Sequence, residues 1–320
     1  MKSSYVETVV SVGLPVDETL EIKRKRYLPE TVKSKKELKN LKRISIVTGI
    51  HGDELEGQSV CYELSRIIQE NMGCLRGIVD IYPALNPLGI DSITRGIPGF
   101  DLDMNRIFPG NPDSSMAESV ASEIIAALKG SDMCIDIHAS NIFLTEIPQV
   151  RISEMTKETL VPYAKRLNVD YVWVHSAATV LQSTLAHSLN SLGTPTLVVE
   201  MGVGMRLTEQ YTKQLVDGIF VLMKDLGIWD GEVITPKEPI ISKDGKVSFL
   251  NARGAGIFMK RVKHCDRVQK GDIIGNIVDP LNGTVVDEIQ APCTGLVFTI
   301  REYPVVDEGS LIARILEDES

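Results

Sequence analysis

The sequence predicts an α/β fold: a mixed, largely parallel sheet flanked by helices, followed by a smaller all-β unit. Three observations carry this expectation. From residue 43 to about 227, segments rich in β-branched residues alternate with segments of helical period, the pattern of a parallel sheet whose crossovers are helices. Near Trp229 the character changes, and DGEVITPKEP (230–239) has two prolines and no helical period. Beyond it, short β patterns are punctuated by Gly245, Gly254, Gly256, Gly271, Gly275, Gly283, Gly295 and Gly309, as in a small unit of turns and strands. The organisation read from this is a main domain over 1–229, with an extended or hairpin region at 1–42, a linker at 230–239 and a C-terminal β domain at 240–320.

Taken in order, residues 5–13 and 19–28 read as two extended segments forming a hairpin. RISIVTGI (43–50) is a β-branched strand. From Gly57 to about Gln69, Val60, Cys61, Leu64, Ile67 and Ile68 recur at helical spacing. GIVDIYPALNP contains a second strand ending at Pro83. Ser115 and Glu118 have the spacing of a capping box, which opens a helix to about Leu128. DMCIDIH (132–138) is a third strand, 154–167 and 179–192 are helices, TPTLVVEMG (194–202) is a fourth strand, and 208–227 is a long helix.

Composition excludes several classes. Of 320 residues, 43% are apolar and 24% charged, enough side chain to build a core, so the chain is neither disordered nor fibrous. No apolar run approaches the roughly 18 residues of a membrane span, and MKSSYVETVV lacks the apolar stretch of a secretory signal. A net charge of −9 opposes nucleic-acid binding, which needs a basic surface. The charge is uneven: residues 1–43 hold eleven Lys/Arg against six Asp/Glu. Within them, Lys23-Arg24-Lys25-Arg26 is read as a solvated strand or turn rather than an anionic-ligand patch. The five cysteines are scattered, with no CxxC pair, and read as reduced thiols of a cytoplasmic protein.

The chemistry concentrates at strand ends. His51 and Glu54 lie three apart just after the first main strand, a spacing that lets an imidazole and a carboxylate reach one metal ion, although such a pair alone is a common surface turn. His138 ends the apolar stretch Ile135–Ile137, and Glu200 ends Leu197–Val199. Burying a carboxylate beside a β core is costly unless it has a partner or a task. In open α/β sheets the ligand crevice lies at the carboxyl ends of the strands. Two histidines and one carboxylate with a fourth position open make a catalytic zinc site, and a second carboxylate supplies a general base.

GIHGDELEG (49–57), DLDMNRIFPG (101–110), DIHAS (136–140) and VVEMG (198–202) resemble, in order, the motifs of the succinylglutamate desuccinylase/aspartoacylase family of zinc carboxypeptidase-like hydrolases. The resemblance spans roughly 43–228. It implies that 1–229 is a catalytic domain of zinc carboxypeptidase-like fold, with one Zn2+ per chain held by His51, Glu54 and His138, and Glu200 as general base. It also implies that Asn105 and Arg106 bind a substrate carboxylate, that Arg95 polarises the scissile carbonyl, and that Asp103 hydrogen-bonds a zinc-binding histidine. Asp136 precedes His138 by two, on the same strand face, and is either a further support or a satisfied polar residue. His175, His187 and His264 match no motif and read as structural or surface groups. The placement of Arg95, Arg151 and Arg206 is left to decide which acyl group and amine are accepted.

The C-terminal glycine pattern resembles a lipoyl/biotinyl-like β-sandwich, but Asp279–Thr284, where a carrier would present its lysine, has none. Tyr303 reads as a surface tyrosine rather than a substrate contact. The expected activity is hydrolysis of an N-acyl amino acid or similar small amide in the cytoplasm, with no nucleic-acid or membrane partner and a possible homo-oligomer. The alternatives are a metallocarboxypeptidase acting on peptide C-termini and a non-catalytic metal-binding protein.

Overall fold

The computed structural model describes residues 2–100, 102–176 and 182–318. Two long strands, β1 (Ser4–Gly13) and β2 (Thr19–Tyr27), form the antiparallel hairpin expected of the N-terminal region. After a short helix α1 (Lys35–Leu38) come β3 (Arg43–Thr48), α2 (Glu56–Glu70), β4 (Ile78–Tyr82), α3 (Pro87–Ser92), α4 (Met116–Leu128) and β5 (Met133–Ala139). Then follow β6 (Leu144–Ser153), α5 (Lys157–Ala164), β7 (Tyr171–His175), α6 (Leu185–Ser191), β8 (Thr196–Gly202) and α7 (Glu209–Asp225). Half of the predicted capping box is observed: Ser115 Oγ accepts from the Glu118 amide at the start of α4, while the Glu118 carboxylate accepts from Ser114 Oγ. The helix expected at 179–192 is observed as α6, while 179–181 lie outside the described residues.

The chain continues through β9 (Ile240–Lys243), β10 (Val247–Asn251), β11 (Gly256–Lys260), β12 (Arg267–Val268), β13 (Ile273–Asp279), β14 (Thr284–Gln290), β15 (Gly295–Arg301), β16 (Val305–Val306) and β17 (Leu311–Glu317). Among the described residues, one 13-stranded sheet runs β1-β2-β4-β3-β5-β8-β6-β15-β17-β10, with β7, β9 and β12 paired beside it. Its centre, β4-β3-β5-β8, is parallel, and every residue of β5 is buried, as expected of a strand covered on both faces. A core of α2, α5 and α7 side chains fills one face, and α4 and α6 pack with the hairpin on the other. The architecture is therefore the mixed α/β sheet with flanking helices, plus a second antiparallel sheet, β14-β13-β11-β16, in the C-terminal part.

Two features depart from the sequence reading. Strands β6 and β7, at 144–153 and 171–175, are not marked by its pattern, yet β6 joins the halves of the large sheet. It lies antiparallel to β8 on one edge and pairs with β15 and β7 on the other. Ile147, Tyr171, Trp173, Val247, Phe298 and Leu316 form the apolar seam there. The basic run is also not simply solvated. Arg24 and Arg26 alternate onto one face of β2, and Arg26 grips buried Asp80 with Nε at 2.7 Å and Nη2 at 2.6 Å. Arg24 reaches Asp80 at 3.4 Å and the Tyr82 hydroxyl at 2.9 Å.

Candidate active site

The parallel register of β3, β5 and β8 sets His138 directly beside Glu200. The loop after β3 carries His51 and Glu54 to the same end of the sheet. Close backbone approach makes that loop possible: a Cβ at Gly52 would lie 1.9 Å from the Gly89 carbonyl carbon. Gly202, with φ +67, ends β8 where any side chain would collide with buried Glu56.

His51, Glu54 and His138 are buried, and their ligand-type atoms lie within 4.8 Å of one another. His51 Nδ1 is 2.7 Å from Glu54 Oε1, and His138 Nδ1 is 2.9 Å from Glu54 Oε2. His51 Nε2 is 3.0 Å from Asp103 Oδ1, so the tautomer that donates there leaves Nδ1 as a lone pair facing a carboxylate. Indeed His51 Nδ1 has no hydrogen-bond partner despite its burial. Two electron-rich groups held that close call for a cation between them, and this donor set of two imidazoles and a carboxylate fits zinc. His138 Nε2 is 3.2 Å from Asp136 Oδ2, but it makes no hydrogen bond there, unlike His51 Nε2 with Asp103. Burial pushes the Glu54 carboxyl up, but its hydrogen bond with His138 and the closeness of both imidazoles outweigh this and hold it far below its ordinary value.

A cavity of about 830 Å³ opens over these groups, and His51, Glu54, Arg95, Asn105, Arg106, His138 and Glu200 all line it. Arg95 Nη1 donates to Glu54 Oε1 at 2.8 Å, and its Nε lies 3.4 Å from Asp103 Oδ2. Asn105 is buried, its Oδ1 accepting from the Leu185 amide at 2.9 Å, which ties the Asn-Arg segment to α6. Arg106 is exposed and bonds the Asn105 carbonyl at 2.8 Å. Asp101, the first residue of that motif, lies outside the described residues. Burial raises the Glu200 carboxyl above its ordinary value, against the opposing charges of Arg151 and His138.

The cavity also holds residues that no motif marks: Glu146, Arg151, His175, His187 and Arg314. Arg151 and His175 sit on the two unpredicted strands, so their shared face with Glu200 was not readable from spacing. Of the other arginines considered for selectivity, Arg206 bonds the Met205 carbonyl on the surface. Tyr303 is 48% exposed and touches the rim residue Phe143 edge-on at 5.8 Å. His264 is hydrogen-bonded to the Tyr211 hydroxyl, away from the cavity. Among the described residues, no helix is long and apolar enough to cross a membrane.

The profile of the succinylglutamate desuccinylase/aspartoacylase catalytic domain matches residues 40–226. An N-alpha-acetyl-L-2,4-diaminobutyric acid deacetylase of Halomonas elongata is 28% identical over 288 residues, covering 84% of this chain and 80% of that one. The product-bound ectoine utilization protein EutE (DoeB) of Ruegeria pomeroyi superposes with a TM-score of 0.81 at 20% identity, covering 98% of this chain and 95% of that one. A succinylglutamate desuccinylase/aspartoacylase of Rhodobacter sphaeroides does so with 0.80 at 20% identity, covering 99% and 96%. These structural likenesses show the shared fold. With the profile spanning more than half of its length, the chain belongs to the succinylglutamate desuccinylase/aspartoacylase family.

Proposed function

We propose that the protein is a zinc-dependent amidohydrolase that removes the acyl group from an N-acyl amino acid or similar small amide. The observation that carries this reading is the buried triad of His51, Glu54 and His138, whose ligand-type atoms lie within 4.8 Å of one another in a cavity that Glu200 also lines. The deacetylase relative, acting on an N-acetylated amino acid, supports the substrate class.

Zinc bound by His51, Glu54 and His138 would supply Lewis acidity and lower the pKa of water toward about 7. Asp103, hydrogen-bonded to His51 Nε2, orients that imidazole and keeps its inward nitrogen unprotonated, and the Asp136 carboxylate lies close to the far nitrogen of His138. Glu200, on the neighbouring strand, takes the proton from the attacking water and delivers it to the leaving nitrogen; burial suits it to that task by raising its proton affinity. Arg95 faces the carbonyl oxygen as charge develops there. Arg106, set by Asn105, presents its guanidinium to the substrate's carboxylate. The cavity, far larger than an acetyl group, leaves the acyl group and amine to be found by experiment.

A panel of N-acyl amino acids, assayed with zinc-loaded protein, tests the reading. Turnover is expected together with about one zinc per chain, and it should vanish on chelation and return with zinc. Glu200→Gln should keep the metal and lose roughly 10²-fold or more in kcat. Full activity in that variant, or in metal-free protein, refutes the mechanism.

A further inference from the structure

Glu200 is held by more than the strand that carries it. Its Oε1 lies 3.2 Å from Arg151 Nη1. The other arm of Arg151, Nη2, meets the Glu146 carboxylate at 2.8 and 3.1 Å. Glu146, 1% exposed, accepts as well from Thr299 Oγ1 at 3.2 Å and from Arg314 Nη1. The register explains how these meet. Thr299 of β15 lies opposite Glu146 of β6, and Arg314 of β17 lies opposite Thr299, so the three form one row across the seam of the large sheet. Both guanidinium groups also lie against the Trp173 ring, at 5.7 Å for Arg151 and 5.5 Å for Arg314. Signs alternate along Glu200, Arg151, Glu146 and Arg314, and all four line the cavity.

We infer that Arg314, contributed by the C-terminal strands and lying beyond the 40–226 catalytic segment, is a positioning residue for the base Glu200. The inference rests on the reading of Glu200 as general base. A buried carboxylate must fill its acceptor sites. Arg314 and Thr299 fill part of Glu146, so one arm of the Arg151 fork suffices for the rest and the other is free to hold Glu200. Without Arg314, Glu146 competes for both arms, because a guanidinium binds a carboxylate best with two parallel bonds. Glu200 then loses its only arginine contact among the described residues and swings from its place beside His138. The C-terminal strands thus act in the chemistry through the order they impose on the base, without touching substrate.

The test uses the full-length, zinc-loaded protein in four forms besides wild type: Arg314→Met, Arg314→Lys, Glu200→Gln and the double variant Arg314→Met/Glu200→Gln. Zinc content and thermal midpoint are measured for each. Arg314→Met should lower kcat roughly 10- to 100-fold, the scale of a misplaced catalytic group, with KM within about twofold and zinc unchanged. Arg314→Lys should recover much of kcat by restoring a charged donor to Glu146. In the Glu200→Gln background the same Met substitution should change residual kcat by less than about twofold, because no base remains to be positioned. Equal losses in both backgrounds, or a change confined to KM, overturn the inference. Should Arg314→Met fail to fold, Thr299→Val, which removes another donor from Glu146, carries the same comparison. Unimpaired turnover of Glu200→Gln overturns this inference and the base assignment together, and is told apart by occurring without any change at Arg314.

Discussion

The proposed carboxylate-binding role of Arg106 predicts that Arg106→Ala lowers turnover of N-acyl amino acids far more than that of N-acyl amines. Two arginines of the loop segment face the cavity, but they are not equivalent. Arg95 is engaged by Glu54 at 2.8 Å and approached by Asp103 at 3.4 Å. Among the described residues, Arg106 bonds only the carbonyl of Asn105, and no protein carboxylate competes for its fork. An exposed ion pair is worth about 0–1 kcal/mol, whereas truncating one partner of a buried, hydrogen-bonded pair costs about 2–5 kcal/mol. Arg106 is exposed at the cavity, and a carboxylate bound there would bury it only in part, which places the cost near the lower end of the second range. At about 2 kcal/mol, kcat/KM for an N-acyl amino acid falls roughly 30-fold. The matching N-acyl amine, which has no carboxylate to lose, should fall far less. Arg106→Lys should rescue only in part, since a point charge does not reproduce the fork. The assay is kcat/KM on the acid and amine side by side, with zinc content checked in each variant. Equal losses on both substrates would refute the carboxylate role and leave Arg106 as a support of its loop.

Two further predictions concern stability. Asp80→Asn leaves Arg24 and Arg26 facing a neutral amide inside the sheet. Breaking a buried pair of this kind costs about 3 kcal/mol and should lower the thermal midpoint by roughly 5 °C or more, while zinc content stays normal; an unchanged midpoint would show that the two guanidinium groups rehydrate freely. His175 is driven by burial, then by the nearby Arg151 and Arg314 charges, to a pKa of about 4 despite Asp244 beside it. Its folded value lies below the ordinary 6.5 or so, so its neutral form contributes stability that is complete above about pH 6.5 and is lost as pH falls toward 4. His175→Gln should flatten that part of the stability curve relative to wild type, by up to about 3 kcal/mol at its lower end; parallel curves for the two proteins would sink the assignment.

The residues proposed to hold a metal, and Glu200 beside them, could be singled out in the sequence because their positions follow local patterns. A β-branched run reads as a strand, strands of a parallel sheet end at the ligand crevice, and four histidines and carboxylates that share such ends point to binding where one pair alone would read as a surface turn. His51 and Glu54 lie just beyond the end of β3, and His138 and Glu200 near the ends of β5 and β8; the hairpin read at 5–13 and 19–28 is observed as β1 and β2. Asp136 could be placed on the face of His138 by strand alternation, but its 3.2 Å approach to Nε2 depends on how the imidazole turns. The alternation of Arg24 and Arg26 was likewise visible, but not that the face they share would meet Asp80, because that carboxylate arrives from β4 across 54 residues of chain. The same limit hid Arg151, Glu146 and Arg314. Strand pairing is a long-range choice made by complementary faces, and no period in 144–175 announces that β6 will lie antiparallel to β8 and then accept β15 from the far end of the chain. Local patterns thus offered candidate residues for a metal and a base, while the surroundings of Glu200 were decided only when strands distant in sequence closed into one sheet and brought their charges together at one cavity.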